Sequence, residues 1–261
     1  MKVLYDEYIL QNDIFENSAM HEKNTSNEKI HILYNKILML RCSVDNDRTD
    51  FRSTVRQQCV ADFLTSICVK IDVIEDCISF VANEKHTCVT CEGISNNFSQ
   101  DCIKIALPNT ISIRSLNLQK IIDYHFMKNK ISYDCDKINK LTRQKCNGTE
   151  RYSQPSVIID KDIIVIQIKL FNFNLERRIS EKITGLELED IPLSILKIHS
   201  HEFRVVSVIC HKGQSIESGH YVTYLRQQNN SWTEVNDNEV TNNYPWKQHK
   251  GEPYLLFLEK L

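Results

Sequence analysis

The residues best suited to chemistry lie near the carboxyl end of the chain, in the segment SGHYVTYLRQQNNSWTEVNDNEV. His220 stands in an alternating run that predicts a strand, and Asn236 and Asp237 end the strand that follows it. Antiparallel pairing would return Asn236 beside His220, where its amide oxygen could accept a hydrogen bond from the ring Nδ1–H. This pattern fits a general base with its orienting residue, although a histidine on a strand can equally be structural.

Two cysteine pairs in the middle of the chain could hold a metal ion. Cys88 and Cys91 have the spacing of half a tetrahedral zinc site, whereas Cys135 and Cys146 are too far apart for a second knuckle of this kind. Two interpretations stay open. In the first, zinc is bound by Cys88, Cys91 and Cys135, with either Cys146 or His86 as the fourth ligand. In the second, the site is degenerate and the thiols are small buried hydrophobic side chains.

The elements that must position these residues change character along the chain. Apolar residues at helical spacing predict helices over 28–41, 51–71 and 115–126. From Val157 onward, alternating and β-branched runs predict strands separated by polar turns. Helices first, a cysteine-bearing insertion next and a long antiparallel sheet last together predict an α+β fold.

Composition and charge exclude several classes of protein. The net charge of −2 over 261 residues argues against non-specific binding to nucleic acid or anionic membranes. No stretch reaches the roughly 20 apolar residues of a transmembrane helix, and Asp6 and Glu7 interrupt the apolar core that a signal peptide needs. We therefore expect a cytoplasmic or nuclear protein that binds neither nucleic acid nor membrane, with its ten cysteines as thiols or metal ligands.

Longer motifs carry a resemblance to a known family. The stretch FRVVSVICHKGQSIESGHYVTYLR, followed by SWTEVNDNEVT and EPYLLFLEK, closely resembles the histidine box of the ubiquitin-specific proteases. Upstream, VRQQCVADFL resembles that family's Gln-Gln-Asp-Ala-x-Glu-Phe-Leu helix, with Cys59 where Asp is usual and Asp62 where Glu is usual. TCVTCEG fits the first knuckle of the family's fingers, and in DIIVIQIKLFNF Leu170 replaces the usual Arg.

The resemblance implies a papain-like fingers-palm-thumb fold, ubiquitin or ubiquitinated proteins as partner, and no required cofactor, a structural zinc being the metal that it allows. His220 would be the general base, Asn236 would orient its ring, and the carboxylate of Asp237 would assist. The narrow cleft for the ubiquitin tail would be bordered by three residues of the same segment, namely Gly219, Tyr221 and Trp232.

The family's nucleophile is the part that the resemblance does not supply. It lies in a Gly-Asn-Thr-Cys-Tyr box ahead of the Gln-Gln helix, and this sequence contains no such box. The first cysteine, Cys42, follows a predicted helix and so lacks the helix N-terminus that stabilises a thiolate. We therefore expect little or no cleavage by this chain, either as a partial gene product or as an inactive relative that binds ubiquitin or another protein.

The expected organisation has two parts along the chain. Residues 1–27 are polar, lack an apolar period and are expected to be poorly ordered. Residues 28–261 are expected to form one ubiquitin-specific protease-like domain with an incomplete helical thumb. Within it we expect a helical part over 28–80, fingers over about 84–150 and a palm over 155–261.

Overall fold

The computed structural model describes residues 59–64, 78–79, 81–100, 103–107, 116–139, 141–174, 178–215 and 218–261. The segment 1–27 and the predicted helix 28–41 lie outside these residues, as does most of the predicted helix 51–71. Of that helix, residues 60–64 are described and are helical, with Phe63 N donating to Cys59 O over 3.0 Å. Among the described helices, none is both long and apolar enough to cross a membrane.

Strands make up most of the described structure. In chain order they are β1 (Ile78–Ser79), β2 (Val81–Cys88), β3 (Ile94–Gln100), β4 (Ile103–Ile105), β5 (Asn129–Ser132), β6 (Glu150–Val157), β7 (Ile163–Ile168), β8 (Phe171–Asn174), β9 (Ile179–Lys182), β10 (Ile195–Ile198), β11 (His201–Ser215), β12 (Ser218–Arg226), β13 (Trp232–Asn236), β14 (Glu239–Thr241) and β15 (Glu252–Lys260). Helix α1 (Leu118–Phe126) lies between β4 and β5, and a 3-10 turn spans Trp246–Gln248.

The larger sheet, the palm sheet, has nine strands and carries the core. Its strand order is β1-β7-β15-β11-β12-β13-β14, with β10 also paired to β11 and β4 to β7. Strand β7 is paired on both edges, with β15 on one side and with β1 and β4 on the other. Four of its six residues are buried, which suits its almost continuous apolar sequence IIVIQI. The predicted α+β fold with a large palm sheet is confirmed. The sheet is mostly antiparallel, but β1 and β4 both pair with β7 in parallel.

Helix α1 packs against β4 and β10 of the palm sheet and against β6 of the fingers sheet, and its ends follow from its sequence. Leu118, Ile121 and Ile122 lie on one side of the helix and are buried. Asn117 caps the first turn, its side-chain oxygen accepting from Lys120 N at 2.8 Å. This helix confirms the prediction made for residues 115–126.

The smaller sheet, the fingers sheet, has the strand order β3-β2-β6-β5 and is antiparallel throughout. Its central strand β2 ends at Cys88, so the cysteine lies at the tip of the sheet. Strand β4 and helix α1 come between β3 and β5 in sequence, yet β4 pairs with β7 of the palm. The chain therefore leaves the fingers, contributes to the palm core and returns.

Candidate functional site

The palm hairpin of β12 and β13 brings the predicted base and its orienter together. The β12–β13 ladder runs from Arg226↔Trp232 to Thr223↔Val235, so the end of β13 returns beside the start of β12. Val222 and Tyr224 are completely buried, and they anchor β12 in the core. His220 lies beyond this anchored part of the strand, with its side chain 38 % exposed.

The His220 ring is held by one short hydrogen bond. Its Nε2 lies 2.6 Å from Asn236 Oδ1. Because an amide oxygen only accepts, Nε2 carries the ring proton, and Nδ1 is the nitrogen that can accept one. The sequence predicted this bond at Nδ1, and that assignment was wrong. Asn236 lies one residue beyond Thr223↔Val235, the last pair of the β12–β13 ladder. At that position its Oδ1 is reached by Nε2, the His220 ring nitrogen that lies farther from the backbone.

Asp237 makes a looser contact with the same nitrogen. Its Oδ2 lies 3.7 Å from His220 Nε2, and its side chain is 78 % exposed. Its backbone has a φ of 54°, a left-handed conformation that aspartate tolerates in the turn between β13 and β14. A carboxylate this exposed is screened by water, so it contributes little to holding the ring.

Gly219 is required by the close approach of β12 to β11. A Cβ at this position would lie 2.1 Å from Lys212 O and 2.7 Å from His211 Nε2. Gly213 faces it from β11, and a Cβ there would lie 2.8 Å from the Gly219 Cα. The missing side chain therefore makes room for the neighbouring backbone of this chain.

His211 is a buried imidazole directly beneath the His220 segment. It is 0 % exposed, and neither of its ring nitrogens has a hydrogen-bond partner among the described residues. The rings of Phe171 and Tyr221 contact it edge-on, with centroids 5.3 Å and 5.0 Å away. Burial, followed by the charge of Lys182, lowers the pKa of His211 to about 4, so the ring is neutral at neutral pH. His211 lies within the histidine-box stretch, but nothing in the spacing of the sequence predicts this burial.

The other predicted cleft residues differ in exposure. Tyr221 is half-buried and stacks on Tyr254 at 6.1 Å between ring centroids. The Tyr254 hydroxyl accepts from Gln167 Nε2 at 2.7 Å and lies 3.3 Å from Cys59 Sγ. Trp232 is only 3 % exposed and packs in the core. The sequence placed its indole at the border of the cleft, and that placement was wrong.

The four predicted cysteine ligands converge at the tip of the fingers. The Sγ atoms of Cys88, Cys91, Cys135 and Cys146 all lie within 4.8 Å of one another. Cys91 and Cys135 are 3.7 Å apart, and Cys88 and Cys146 are 3.9 Å apart. A tetrahedral zinc ion with bonds of about 2.3 Å separates its sulfur ligands by about 3.8 Å, so the arrangement fits zinc.

The backbone around the cluster supports thiolate ligands. Thr90 N donates to Cys88 Sγ and Gly148 N donates to Cys146 Sγ, each at 3.4 Å. Hydrogen bonding, first from the Cys91 backbone N–H, lowers the pKa of Cys88 to about 6. A hydrogen bond from the Lys137 backbone N–H is outweighed by burial and the neighbouring thiols, which raise the pKa of Cys135 to about 12. A Cβ on Gly148 would lie 2.9 Å from Cys88 Sγ, so glycine is needed where the two knuckles meet.

The geometry settles the first of the two choices that the sequence left open, the identity of the fourth cluster member, and bears on the second, zinc or buried thiols. Cys146 is the fourth member, because the His86 ring instead lies 3.2 Å from Asn97 Nδ2 and 3.6 Å from Glu84 Oε2. Cys91 is exposed and Cys146 is half-buried, which does not suit small hydrophobic core residues. The long spacing works because residues 137–139 and 141–146 pair with each other, with Cys146 N donating to Lys137 O at 2.8 Å.

Comparisons with known proteins agree with this geometry. The sequence profile of the family described as ubiquitin carboxyl-terminal hydrolase matches residues 13–258. The chain belongs to the ubiquitin carboxyl-terminal hydrolase family. It is 24 % identical over 193 residues to ubiquitin carboxyl-terminal hydrolase 25 of Arabidopsis thaliana, covering 72 % of this chain. The resemblance to ubiquitin-specific proteases is thereby confirmed.

Two solved structures share the fold. One is the SAGA module of Ubp8, Sgf11, Sus1 and Sgf73 bound to ubiquitin aldehyde, with a TM-score of 0.61 and 16 % identity over 86 % of this chain. Another, bound to monoubiquitin, has a TM-score of 0.58 and 15 % identity over 79 % of this chain. This chain covers 28 % of the Arabidopsis relative and 53 % and 49 % of the two solved chains.

The nucleophile question falls on both described and undescribed residues. Within the part of the chain that the structure describes, no cysteine thiol lies within hydrogen-bonding distance of the His220 ring. Cys59 is engaged with Tyr254, and Cys210 is completely buried in the palm core. Cys42 lies outside the described residues.

Proposed function

We propose that the chain forms the palm and fingers of a ubiquitin-specific protease, with ubiquitin as its ligand and His220 as the general base. The observation that carries this proposal is the 2.6 Å bond from His220 Nε2 to Asn236 Oδ1. It holds the ring in one tautomer and leaves Nδ1 to take a proton from a substrate or a thiol. Asn236 is the orienter, and Asp237 assists weakly.

The exposure of His220 favours this role over a purely structural one. A structural histidine usually satisfies both ring nitrogens or buries them. Here the ring is 38 % exposed, and its Nδ1 has no hydrogen-bond partner among the described residues. Within the same chain, buried His211 shows what a histidine enclosed by the core looks like.

We further propose that the ubiquitin tail follows the surface beside Gly219 and Tyr221. Tyr221 is half-buried and belongs to an aromatic group with Phe171 and Tyr254, which could contact an extended peptide. Trp232 would support this surface from the core rather than touch the ligand. The two related modules whose structures contain ubiquitin aldehyde or monoubiquitin make ubiquitin the natural first ligand to test.

The cysteine cluster is proposed to bind one structural zinc ion. Four thiolates leave no open position on the metal, so the ion would join the two knuckles and take no part in catalysis. The fingers would then hold their shape through Cys88 and Cys91 at the end of β2 and through Cys135 and Cys146 in the loop between β5 and β6.

The 261 residues by themselves are proposed to bind ubiquitin while cleaving it little or not at all. This sequence has no Gly-Asn-Thr-Cys box, and Cys59 is turned to Tyr254. Removal of a triad member costs several orders of magnitude in rate. The alternative is an active thiol isopeptidase in which Cys42 supplies the nucleophile. The region boundaries at 28–80, 84–150 and 155–261, the absence of nucleic-acid and membrane partners, and a cytoplasmic or nuclear location stay predictions of the sequence.

Ubiquitin with a thiol-reactive group at its C-terminus separates these possibilities. We expect no covalent adduct, together with ubiquitin binding that is measurable by calorimetry and weakened in Tyr221→Ala. An adduct that disappears in Cys42→Ala would show that the chain is an active enzyme. Absence of both adduct and binding would contradict the ubiquitin proposal itself.

A further inference from the structure

Lys182 at the end of β9 is a buried lysine whose three donors are all used. Its side chain is 1 % exposed. Its Nζ donates to His211 O and to Gly213 O, each at 2.8 Å, and pairs with Glu252 Oε2 at 2.5 Å. An ammonium has three N–H groups, and these three acceptors account for them.

Burial of a charged lysine costs free energy, which indicates that this lysine is needed to hold particular groups in place. Lysine is almost never fully buried unless it is paired, and replacing a buried pair by apolar residues is often neutral or stabilising. Glu252 balances the charge and also accepts from Gly185 N at 3.1 Å. Unlike an apolar residue, the lysine also donates hydrogen bonds to two backbone carbonyls.

Those two carbonyls flank the residue that pairs with His220. Lys212 lies between His211 and Gly213, and it is the ladder partner of His220 on β12. The ladder shifts register between Lys212 and Ser215, and Gly213 adopts a φ of 115°. Regular strand bonding is therefore interrupted directly after Lys212, where the position of His220 is set.

The acidic partner of Lys182 comes from the other neighbour of β11. Glu252 on β15 is the ladder partner of His211. Through one ammonium, β9, β11 and β15 are joined at the level of His220. Packing alone fixes the deeper part of β12 through Val222 and Tyr224, but both lie inward of His220.

We infer that Lys182 is a positioning residue for His220. It acts through the peptide groups on either side of Lys212. Calling His220 a base depends on the proposed function, but the positioning itself is measurable without ubiquitin. Loss of the ammonium would free the bulged end of β11, let β12 shift at Gly219, and lengthen the bond from His220 Nε2 to Asn236 Oδ1.

The test uses nitrogen NMR of the His220 ring in the full chain. Lys182→Met alone leaves Glu252 buried without a partner, so the main variant is Lys182→Met with Glu252→Gln. Wild type should show one tautomer, protonated at Nε2, with well-separated ring nitrogen shifts. In the double variant the two shifts should converge as both tautomers are populated, and Lys182→Arg should keep most of the wild-type separation.

The matched control is Lys197→Met, which removes a lysine on β10, beside the opposite end of β11. Lys197 is 71 % exposed and pairs loosely with Glu202 at 3.5 Å. This variant should leave the His220 signals unchanged. A folded double variant with wild-type His220 signals would overturn the inference, whatever the result of the ubiquitin experiments.

A second measurement covers the case in which the double variant does not fold. The Lys182 Nζ protons of wild type should exchange with water at least tenfold more slowly than those of Lys197, because all three are bonded and buried. Equal exchange rates for the two lysines would show that Lys182 does not hold its hydrogen bonds to the two carbonyls in solution. That result would refute the inference.

Discussion

In the palm, His220 and Asn236 are 16 residues apart and one turn joins their strands, whereas in the fingers Cys91 and Cys135 are 44 residues apart. Between those two cysteines the chain leaves the fingers, pairs β4 with β7 and adds α1 to the palm core. The palm site is therefore formed by a local ladder, and the fingers site depends on long-range assembly. A local site should tolerate changes in the other region, while the fingers cluster should need a bound ion to hold its separate segments together.

The largest effect is expected where the local ladder is tightest. Gly219→Ala would place a Cβ 2.1 Å from Lys212 O, a backbone atom that cannot turn aside. We expect a loss of about 3 kcal/mol or more in the free energy of unfolding, measured by urea denaturation.

Gly185→Ala is the matched control for this substitution. Gly185 also has a positive φ, 79°, but nothing lies within 4 Å of its added Cβ. The cost there should be only about 1 kcal/mol, which is the backbone term by itself. Equal losses in the two variants would mean that β11 and β12 are not packed as closely as described.

The next effect concerns the fingers and the ion that would join their segments. Elemental analysis should find about one zinc per chain, and Cys135→Ser should bring that ratio near zero. Cys59→Ser should leave the ratio unchanged, since Cys59 contacts Tyr254 instead of the cluster. Hydrogen exchange of β2 and β5 should rise in the metal-free protein while β12 and β13 stay protected. A zinc-free protein with fully protected fingers strands would remove the metal proposal.

A smaller effect of pH is expected in the palm. The pKa of His211 is lowered to about 4 from its usual 6.5, so the folded state keeps the ring neutral while the unfolded state binds a proton. Stability contributed by the neutral ring is therefore complete above about pH 6.5 and lost as the pH falls toward 4. The loss should be at most about 3 kcal/mol.

His211→Gln isolates this contribution from that of the other histidines. The pKa values of His86, His125, His199 and His249 are also lowered by burial, and these residues titrate in both proteins. The difference between the two pH profiles of unfolding should therefore vary only between about pH 4 and 6.5. A flat difference would show that His211 is not held neutral in the folded state.

The smallest effects separate the two neighbours of His220. Asn236→Ala removes the 2.6 Å partner and should convert the ring to a mixture of tautomers, at a cost of about 1 kcal/mol. Asp237→Ala removes an exposed carboxylate 3.7 Å away and should leave the tautomer unchanged, with less than about 0.5 kcal/mol lost. The reverse order in NMR spectra of the two variants would make Asp237 the orienter.

The same contrast explains what the sequence could and could not predict. The β12–β13 hairpin was predictable because alternating residues and a short polar turn fix a register, and that register places Asn236 beside His220. The four-cysteine cluster was only half predictable, because no simple spacing rule predicts that residues 137–139 pair with residues 141–146 and so bring Cys146 to the cluster. Residue spacing does not encode packing between distant strands. That packing buries Trp232 and His211, and it brings Lys182 to the two carbonyls that it hydrogen-bonds.

The state of the His220 ring, measured with and without ubiquitin, tests the central proposal most directly. Nitrogen NMR should show a single tautomer protonated at Nε2 in the free chain, and its Nδ1 signal should shift when ubiquitin is added. A ring that populates both tautomers and does not respond to saturating ubiquitin would contradict the assignment of this hairpin as the base and orienter of a ubiquitin-binding site.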